Sequence, residues 1–162
     1  MKRIAEYKSL AYRLALVYIF YFLARLAFYS FNHAHLSVEG ISDFLRLAFY
    51  GLLFDTTAII YVNLLFIFLS VLPLLINAKK SFQKVLFWVY FLCNIPAYLL
   101  NYIDIAYFSY NKTRLTTNDW ALVENEHNPI TLLSGFLVQY WAVFTLFLVL
   151  VLLWIFLYKK IQ

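Results

Sequence analysis

Charged residues are scarce in this sequence, since they make up 13% of its 162 residues, whereas soluble domains carry about 25%. Hydrophobic residues make up 65% of the chain and aromatic residues 22%. So few charged side chains cannot cover the apolar surface that these residues would present to water. The composition therefore excludes a water-soluble globular domain and predicts an integral membrane protein.

Cysteine, glycine and the motifs of catalytic sites are scarce or absent as well. The only cysteine, Cys93, cannot form an intramolecular disulfide, and no Cys or His residues have metal-ligand spacing. The three glycines form no phosphate-binding loop, and neither a zinc motif nor Gly-x-Ser-x-Gly occurs. We therefore expect no catalytic residue, no metal ligand and no cofactor in this chain. The net charge of +5 does not indicate nucleic acid, because most basic residues lie at the ends of apolar segments.

Four apolar stretches are long enough to cross a membrane as α-helices, which requires about 20 residues each. They predict a single all-α transmembrane domain over residues 1–162. The predicted spans comprise residues 10–31, 55–76, 85–108 and 136–158, with an ordered loop outside the membrane at 109–135. Within this loop we expect a short helix with Trp120 and Val123 on its apolar side, and we expect the next helix to begin at Pro129.

The second span is preceded by further apolar residues. The apolar stretch from Ile41 to Ile76 is too long for one span and too short for two spans with a turn. Gly51, Asp55 and the threonines that follow weaken helix propensity and can form local hydrogen bonds. The sequence therefore predicts an interfacial half-helix that breaks near residues 51–57, before the second span.

The basic residues determine the predicted orientation. Nine of the 13 lie before the first span, between the second and third, or after the fourth: Lys2, Arg3, Lys8, Arg13, Lys79, Lys80, Lys84, Lys159 and Lys160. Four spans put all of these residues on one side, and the positive-inside rule makes that side cytoplasmic. We therefore expect both termini in the cytoplasm and residues 109–135 outside.

Two charged residues lie inside predicted spans, where an uncompensated charge is costly. Arg25 lies towards the outer end of the first span and Asp55 at the start of the second, so their depths can match. We expect the two side chains to be in contact. Such a pair either links the first two spans structurally or takes part in ligand binding, and the sequence leaves both interpretations open.

A second polar group lies at the outer end of the third span. Asn101 and Asp104 share a helix face with Asn94, because the three residues are spaced by seven and by three. They face protein or water rather than lipid. Hydrogen bonding between helices is the ordinary role of such asparagines in membrane bundles.

The loop that follows carries two cations outside the membrane, against the usual charge bias. Lys112 offers a mobile point charge, and the guanidinium of Arg114 can hold a phosphate through two parallel hydrogen bonds. The residues that we expect to bind a lipid headgroup are Asn101, Asp104, Lys112, Arg114, Thr116, Thr117 and Asp119. In the alternative, Arg114 only orders the loop by pairing with an acidic residue, for which the candidates are Asp119, Glu124 and Glu126.

Several segments of the chain form a recognisable pattern when taken together. They are Arg25, the run Gly51-Leu-Leu-Phe-Asp-Thr-Thr continuing to Asn63, Leu72-Pro73, Asn101-Tyr-Ile-Asp continuing to Phe108, and Arg114-Leu-Thr-Thr-Asn-Asp. This pattern resembles the N-terminal membrane region of bacterial lipoteichoic acid synthase-like proteins, most of all the Bacteroidetes-type members. The resemblance covers nearly the whole chain.

The resemblance implies a location in the bacterial cytoplasmic membrane and a larger protein architecture. Members of this family have five transmembrane helices, followed by an extracytoplasmic domain of the alkaline phosphatase/sulfatase superfamily with a threonine nucleophile and a divalent metal. The sequence ends at Gln162, before a fifth helix or such a domain. It leaves open whether the chain is a truncated form or a stand-alone relative, and no family nucleophile or metal ligand corresponds to a residue present.

Two functions from different classes follow as expectations. The first is a membrane anchor and lipid-substrate platform for a phosphotransferase or sulfatase-type enzyme that acts on phospholipid headgroups outside the membrane. The chain itself would not catalyse, and its partners would be membrane lipids and its own extracytoplasmic domain. The second is a small non-catalytic membrane subunit or scaffold for a protein partner. A small transporter has only the pair of Arg25 and Asp55 in its favour, because broken and repeated helices are not evident.

Overall fold

The structure, a computed structural model, describes residues 2–36, 40–72, 79–119 and 129–160. This part of the chain forms five α-helices and no strand, so the prediction of an all-α fold is confirmed. The helices are α1 (Lys2–Asn32), α2 (Ile41–Val71), α3 (Lys80–Asn111), α4 (Pro129–Gln139) and α5 (Trp141–Lys159). Two 3-10 turns, His33–His35 and Thr117–Asp119, follow α1 and α3.

Four of these helices, α1, α2, α3 and α5, are long and apolar enough to cross a membrane, as the sequence predicts. The helix α4 begins at Pro129, a residue whose fixed backbone angle suits the first turn of a helix. A turn at Tyr140 separates it from α5. The short helix predicted around Trp120 and Val123 lies outside the described residues.

Polar contacts establish the directions of the helices. The Arg13 side chain donates to Gln83 Oε1 at 2.9 Å near the starts of α1 and α3, and Asn32 donates to the carbonyl of Ile105 at 3.2 Å near their ends. These two helices are therefore parallel. The Tyr12 hydroxyl donates to the carbonyl of Leu157 at 3.4 Å, so α5 runs antiparallel to α1.

The two ends of the bundle differ in composition. One end, which we call the basic end, carries six of the described lysines: Lys8, Lys79, Lys80, Lys84, Lys159 and Lys160. The opposite end, which we call the loop end, is formed by the end of α1, the start of α2, the end of α3 and the turn at Thr117–Asp119. The clustering of cations at one end agrees with the charge distribution on which the orientation was predicted.

Aromatic side chains fill the interior between α1, α3 and α5. The Trp154 ring stacks on Phe20 with centroids 4.6 Å apart, and both residues are almost fully buried. The indole N–H of Trp154 donates to the Tyr90 hydroxyl at 2.9 Å, and that hydroxyl donates to the backbone carbonyl of Arg13 at 2.9 Å. Because these buried polar atoms are paired, the three helices are held in one arrangement without the cost of unsatisfied groups.

The helix α2 joins this core through few buried residues, which are Gly51, Ile59, Asn63 and Phe66. The amides of Asn63 and Asn94 bond to each other in both directions, at 3.0 and 2.7 Å, and both side chains are fully buried. Each amide also donates to the carbonyl four residues earlier in its own helix. This reciprocal pair fixes α2 against α3 in an apolar environment.

The prediction of a half-helix and a break near residues 51–57 is wrong, because α2 runs without interruption from Ile41 to Val71. The Thr56 hydroxyl donates to the carbonyl of Leu52 at 2.8 Å, so it is satisfied inside the helix. Gly51 and Asp55 are accommodated by contacts with α1. Tertiary contacts therefore outweigh the weak local propensity on which the predicted break rested.

We expect Asn63→Leu alone to destabilise the bundle by about 0.6–2 kcal/mol, because it leaves the amide of Asn94 without its interhelical partner. The double variant Asn63→Leu/Asn94→Leu should recover part of this loss, because neither amide is then stranded. Unfolding in mixed micelles measures both free energies. Strictly additive losses would show that the two amides are not energetically coupled.

Candidate functional site

The charged pair predicted from the sequence forms where α1 and α2 meet at the loop end. Nη2 of Arg25 donates to Oδ2 of Asp55 at 2.7 Å. The two side chains retain 25% and 17% exposure, so the pair is partly open to solvent. A guanidinium has five N–H donors, so Arg25 keeps donors that its bond to Asp55 does not use.

Gly51 makes this pair sterically possible. The residue is buried, and a Cβ atom added to it would lie 2.0 Å from both Cζ and Nη1 of Arg25. The guanidinium therefore lies directly against the backbone of α2, one helical turn before Asp55. Only glycine permits this approach, which explains the residue better than the predicted break does.

A second charged pair lies at the end of α3. Nη1 of Arg114 donates to Oδ2 of Asp104, and the backbone N–H of Leu115 donates to Oδ1 of the same carboxylate at 2.8 Å. The Arg114 guanidinium also lies over the Phe28 ring, 3.9 Å from its centroid. The Asp104 carboxylate thus connects the start of the loop to α3, and the Arg114 guanidinium connects the start of the loop to α1. Arg114 pairs with Asp104 rather than with Asp119, whereas Glu124 and Glu126 lie outside the described residues.

The two charged pairs line the same cavity, which has a volume of about 420 Å³ and which we call the polar cavity. Its walls come from α1, α2, α3 and the start of the loop. The lining residues are Tyr21, Ala24, Arg25, Phe28, Gly51, Phe54, Asp55, Asn101, Asp104, Arg114 and Leu115. The pair and the outer cluster are separate features in the sequence, and the fold combines them into one site.

Two polar atoms at the polar cavity have no partner among the residues that the structure describes. They are the hydroxyl of Tyr21 and Nε of Arg25, and both are buried. Tyr21 retains only 5% exposure. Buried polar groups are normally hydrogen-bonded, so two unpaired polar atoms on residues that line this cavity favour a polar ligand or water as their partner.

Asn101 contributes an acceptor to the same cavity. Its side-chain nitrogen donates to the carbonyl of Ala97 at 3.0 Å, so its side-chain oxygen stays available for other partners. Of the seven residues predicted to bind a headgroup, the described lining contains Asn101, Asp104 and Arg114. Tyr21 was missed, because one tyrosine among 14 in an aromatic-rich chain carries no distinguishing signal.

Three of the other predicted residues, Lys112, Thr116 and Asp119, order the loop instead of lining the cavity. Lys112 adopts a left-handed backbone conformation, with φ at 61°, and its ammonium donates to the carbonyl of Ser109 at 2.6 Å. The carboxylate of Asp119 accepts from the hydroxyl and backbone N–H of Thr116, at 2.7 and 2.6 Å, and from the Tyr107 hydroxyl at 2.9 Å. The side chain of Thr117 lies outside the described residues.

The hydrogen bonds to Asp119, those from Thr116 first, hold the pKa of its carboxyl below the usual value. A lowered pKa means that the folded turn prefers the ionised carboxylate. This contribution is present above the ordinary aspartate pKa of about 4 and is lost as the pH falls through the lowered value. At neutral pH the turn after Arg114 is therefore held in place.

Comparisons with family models, with curated proteins and with solved structures each find no match to this chain. The similarity to lipoteichoic acid synthase-like proteins therefore stays a prediction from the sequence. Any conclusion about function therefore rests on the chemistry of the polar cavity.

We expect Gly51→Ala to destabilise the protein by about 1–3 kcal/mol, because the added methyl group occupies the position of the Arg25 guanidinium. Thermal unfolding in detergent measures the effect. Gly135→Ala is the matched control, since an added Cβ there meets nothing within 4 Å and alanine favours a helix interior. Equal stability of Gly51→Ala and the wild type would contradict the close approach of Arg25.

Proposed function

We propose that this chain is a membrane-embedded platform that holds the polar headgroup of a phospholipid in the polar cavity. The observation that carries this proposal is the convergence of two guanidinium groups on one 420 Å³ cavity at the loop end. Guanidinium groups bind phosphate through strong charge-assisted hydrogen bonds. The unpaired hydroxyl of Tyr21 supports the same conclusion, because it offers a further donor.

The position of the cavity suits a lipid ligand. With the basic end in the cytoplasm, as the positive-inside rule requires, the loop end lies at the outer membrane surface. Arg25 lies seven residues, or about two helical turns, before the end of α1, and the contact between the two side chains holds Asp55 at the same level. A headgroup in the polar cavity would therefore lie just inside the loop end, with its acyl chains in the bilayer.

This platform would serve an enzyme that acts outside the membrane. The sequence resemblance suggests a lipoteichoic acid synthase-like phosphotransferase in the cytoplasmic membrane of a bacterium, whose metal-dependent catalytic domain lies beyond the residues of this chain. In that arrangement the bundle anchors the enzyme and presents the phosphate of a lipid donor. The chain supplies binding and orientation, and the chemistry belongs to the other domain.

A second candidate function is a non-catalytic subunit or scaffold for a protein partner. One observation favours it, namely that both arginines of the cavity are already paired with aspartates. Such pairs also occur as links that only hold helices and loops together. The two functions differ in whether loss of a cavity arginine changes lipid binding.

We expect Arg114→Gln to weaken phospholipid binding roughly tenfold, because it removes a charge-assisted contact to the phosphate. Native mass spectrometry of the delipidated protein with added phosphatidylethanolamine or phosphatidylglycerol measures the bound fraction. Arg46→Gln is the matched control, since Arg46 lies exposed in the first turns of α2, beside Tyr50, and does not line the cavity. Equal losses in both variants would indicate charge attraction in general and would favour the scaffold.

Activity gives an independent test in a protein that includes the catalytic domain. Arg114→Ala and Arg114→Lys should lower turnover of a lipid donor and spare turnover of a small soluble phosphoester. The lysine variant should retain more activity than the alanine variant, because it keeps the charge and loses the two-point contact. Equal loss on both substrates, or none on either, would contradict headgroup positioning.

A further inference from the structure

The charges that line the polar cavity balance each other. Two guanidinium groups, Arg25 and Arg114, face two carboxylates, Asp55 and Asp104, so the formal charge of the lining is zero. A cavity built for a purely anionic headgroup would be expected to hold an excess of cations. The described lining has no such excess.

The pairs leave both donors and acceptors available. Asp55 accepts the Arg25 side chain with Oδ2 only, and no described residue bonds to its Oδ1. Asn101 keeps its side-chain oxygen, because its nitrogen is engaged within α3. On the donor side, Nε of Arg25 and the Tyr21 hydroxyl are buried and unpaired in the described structure.

This distribution matches a ligand that carries both an acceptor group and a cationic donor group. A phosphate would accept from the guanidinium groups and from the Tyr21 hydroxyl. A primary ammonium would donate to the free oxygens of Asp55 and Asn101. A quaternary ammonium has no N–H to donate to these oxygens, and one of the three aromatic rings in the lining, that of Phe28, is already covered by Arg114.

We propose that the polar cavity selects a zwitterionic aminophospholipid, in which a primary ammonium lies beside the phosphate, over anionic and choline phospholipids. The proposal rests on the proposed function, because it names the lipid class that the same cavity takes. The Tyr21 hydroxyl becomes a ligand-binding group in this assignment.

Competition between lipids tests the selectivity. The delipidated full chain is mixed with equal amounts of phosphatidylethanolamine, phosphatidylglycerol and phosphatidylcholine of the same acyl composition, and native mass spectrometry measures each bound fraction. We expect phosphatidylethanolamine to exceed each of the others at least threefold. Equal or greater binding of phosphatidylglycerol or phosphatidylcholine, still lost in Arg114→Gln, would overturn the selectivity and leave the proposed function standing. Binding that does not respond to Arg114→Gln would overturn both.

Tyr21→Phe tests the site without a risk to folding. The variant removes a hydroxyl that has no partner in the described structure, so the melting temperature in lipid-free detergent should not fall. Phosphatidylethanolamine binding should fall about threefold to tenfold. Tyr158→Phe is the matched control, because its hydroxyl is equally buried and unpaired but lies at the basic end, away from the cavity. Unchanged lipid binding in Tyr21→Phe, or an equal loss in both variants, would overturn the assignment.

Asp55→Asn tests the charge balance directly. The substitution keeps the shape of the side chain and leaves the lining with a net positive charge. We expect the ratio of bound phosphatidylethanolamine to bound phosphatidylglycerol to fall below one. The ammonium of phosphatidylethanolamine loses the carboxylate that it would bind, and the Arg25 guanidinium, no longer paired with a carboxylate, becomes available to the phosphate of phosphatidylglycerol. A ratio equal to that of the wild type would contradict the role of Asp55 in recognising the ammonium.

Discussion

The contact between Arg25 and Asp55 determines how the loop end of the bundle is built. A guanidinium inside a helical bundle requires a carboxylate and enough room to reach it, and the chain meets both requirements on α2. Asp55 provides the charge, and Gly51 provides the room one turn earlier. Because the guanidinium lies against the backbone there, α1 and α2 are held close together at the loop end. The cavity that opens beside them is lined by the same residues.

Charge pairing also determines the electrostatics of the polar cavity. Each arginine has one aspartate, so the lining of the cavity carries no uncompensated charge and costs the fold little. The donors that remain are Nε of Arg25 and the Tyr21 hydroxyl, and the acceptors that remain are Oδ1 of Asp55 and the side-chain oxygen of Asn101. The proposed selectivity therefore depends on the arrangement of charges within a ligand rather than on its net charge.

The sequence predicted the long helices well, because apolar stretches of more than about 20 residues have few alternatives to a membrane-crossing helix. It predicted α2 poorly near Gly51, because helix propensity depends only on the local sequence. It contains no information about the guanidinium of another helix that fills the space over the glycine. The partner of Arg114 was missed for a related reason. Asp119 is nearer in sequence, but the chain turns back so that Asp104 lies closer in space. Tyr21 could not have been found, because an unpaired hydroxyl is a property of its surroundings and not of the residue.

The placement of α2 has a consequence for its register. Its two polar contacts, Asp55 with Arg25 on α1 and Asn63 with Asn94 on α3, are eight residues apart, which is about 12 Å along the helix. Two hydrogen-bonded contacts with different neighbouring helices fix both the rotation of α2 about its axis and its position along that axis. Apolar packing alone is not directional and does not fix them in this way. A shift of α2 by one turn would move both contacts by about 5.4 Å and break them together. Among the four long helices, α2 has the fewest buried residues, and four side chains nevertheless hold it in a single position.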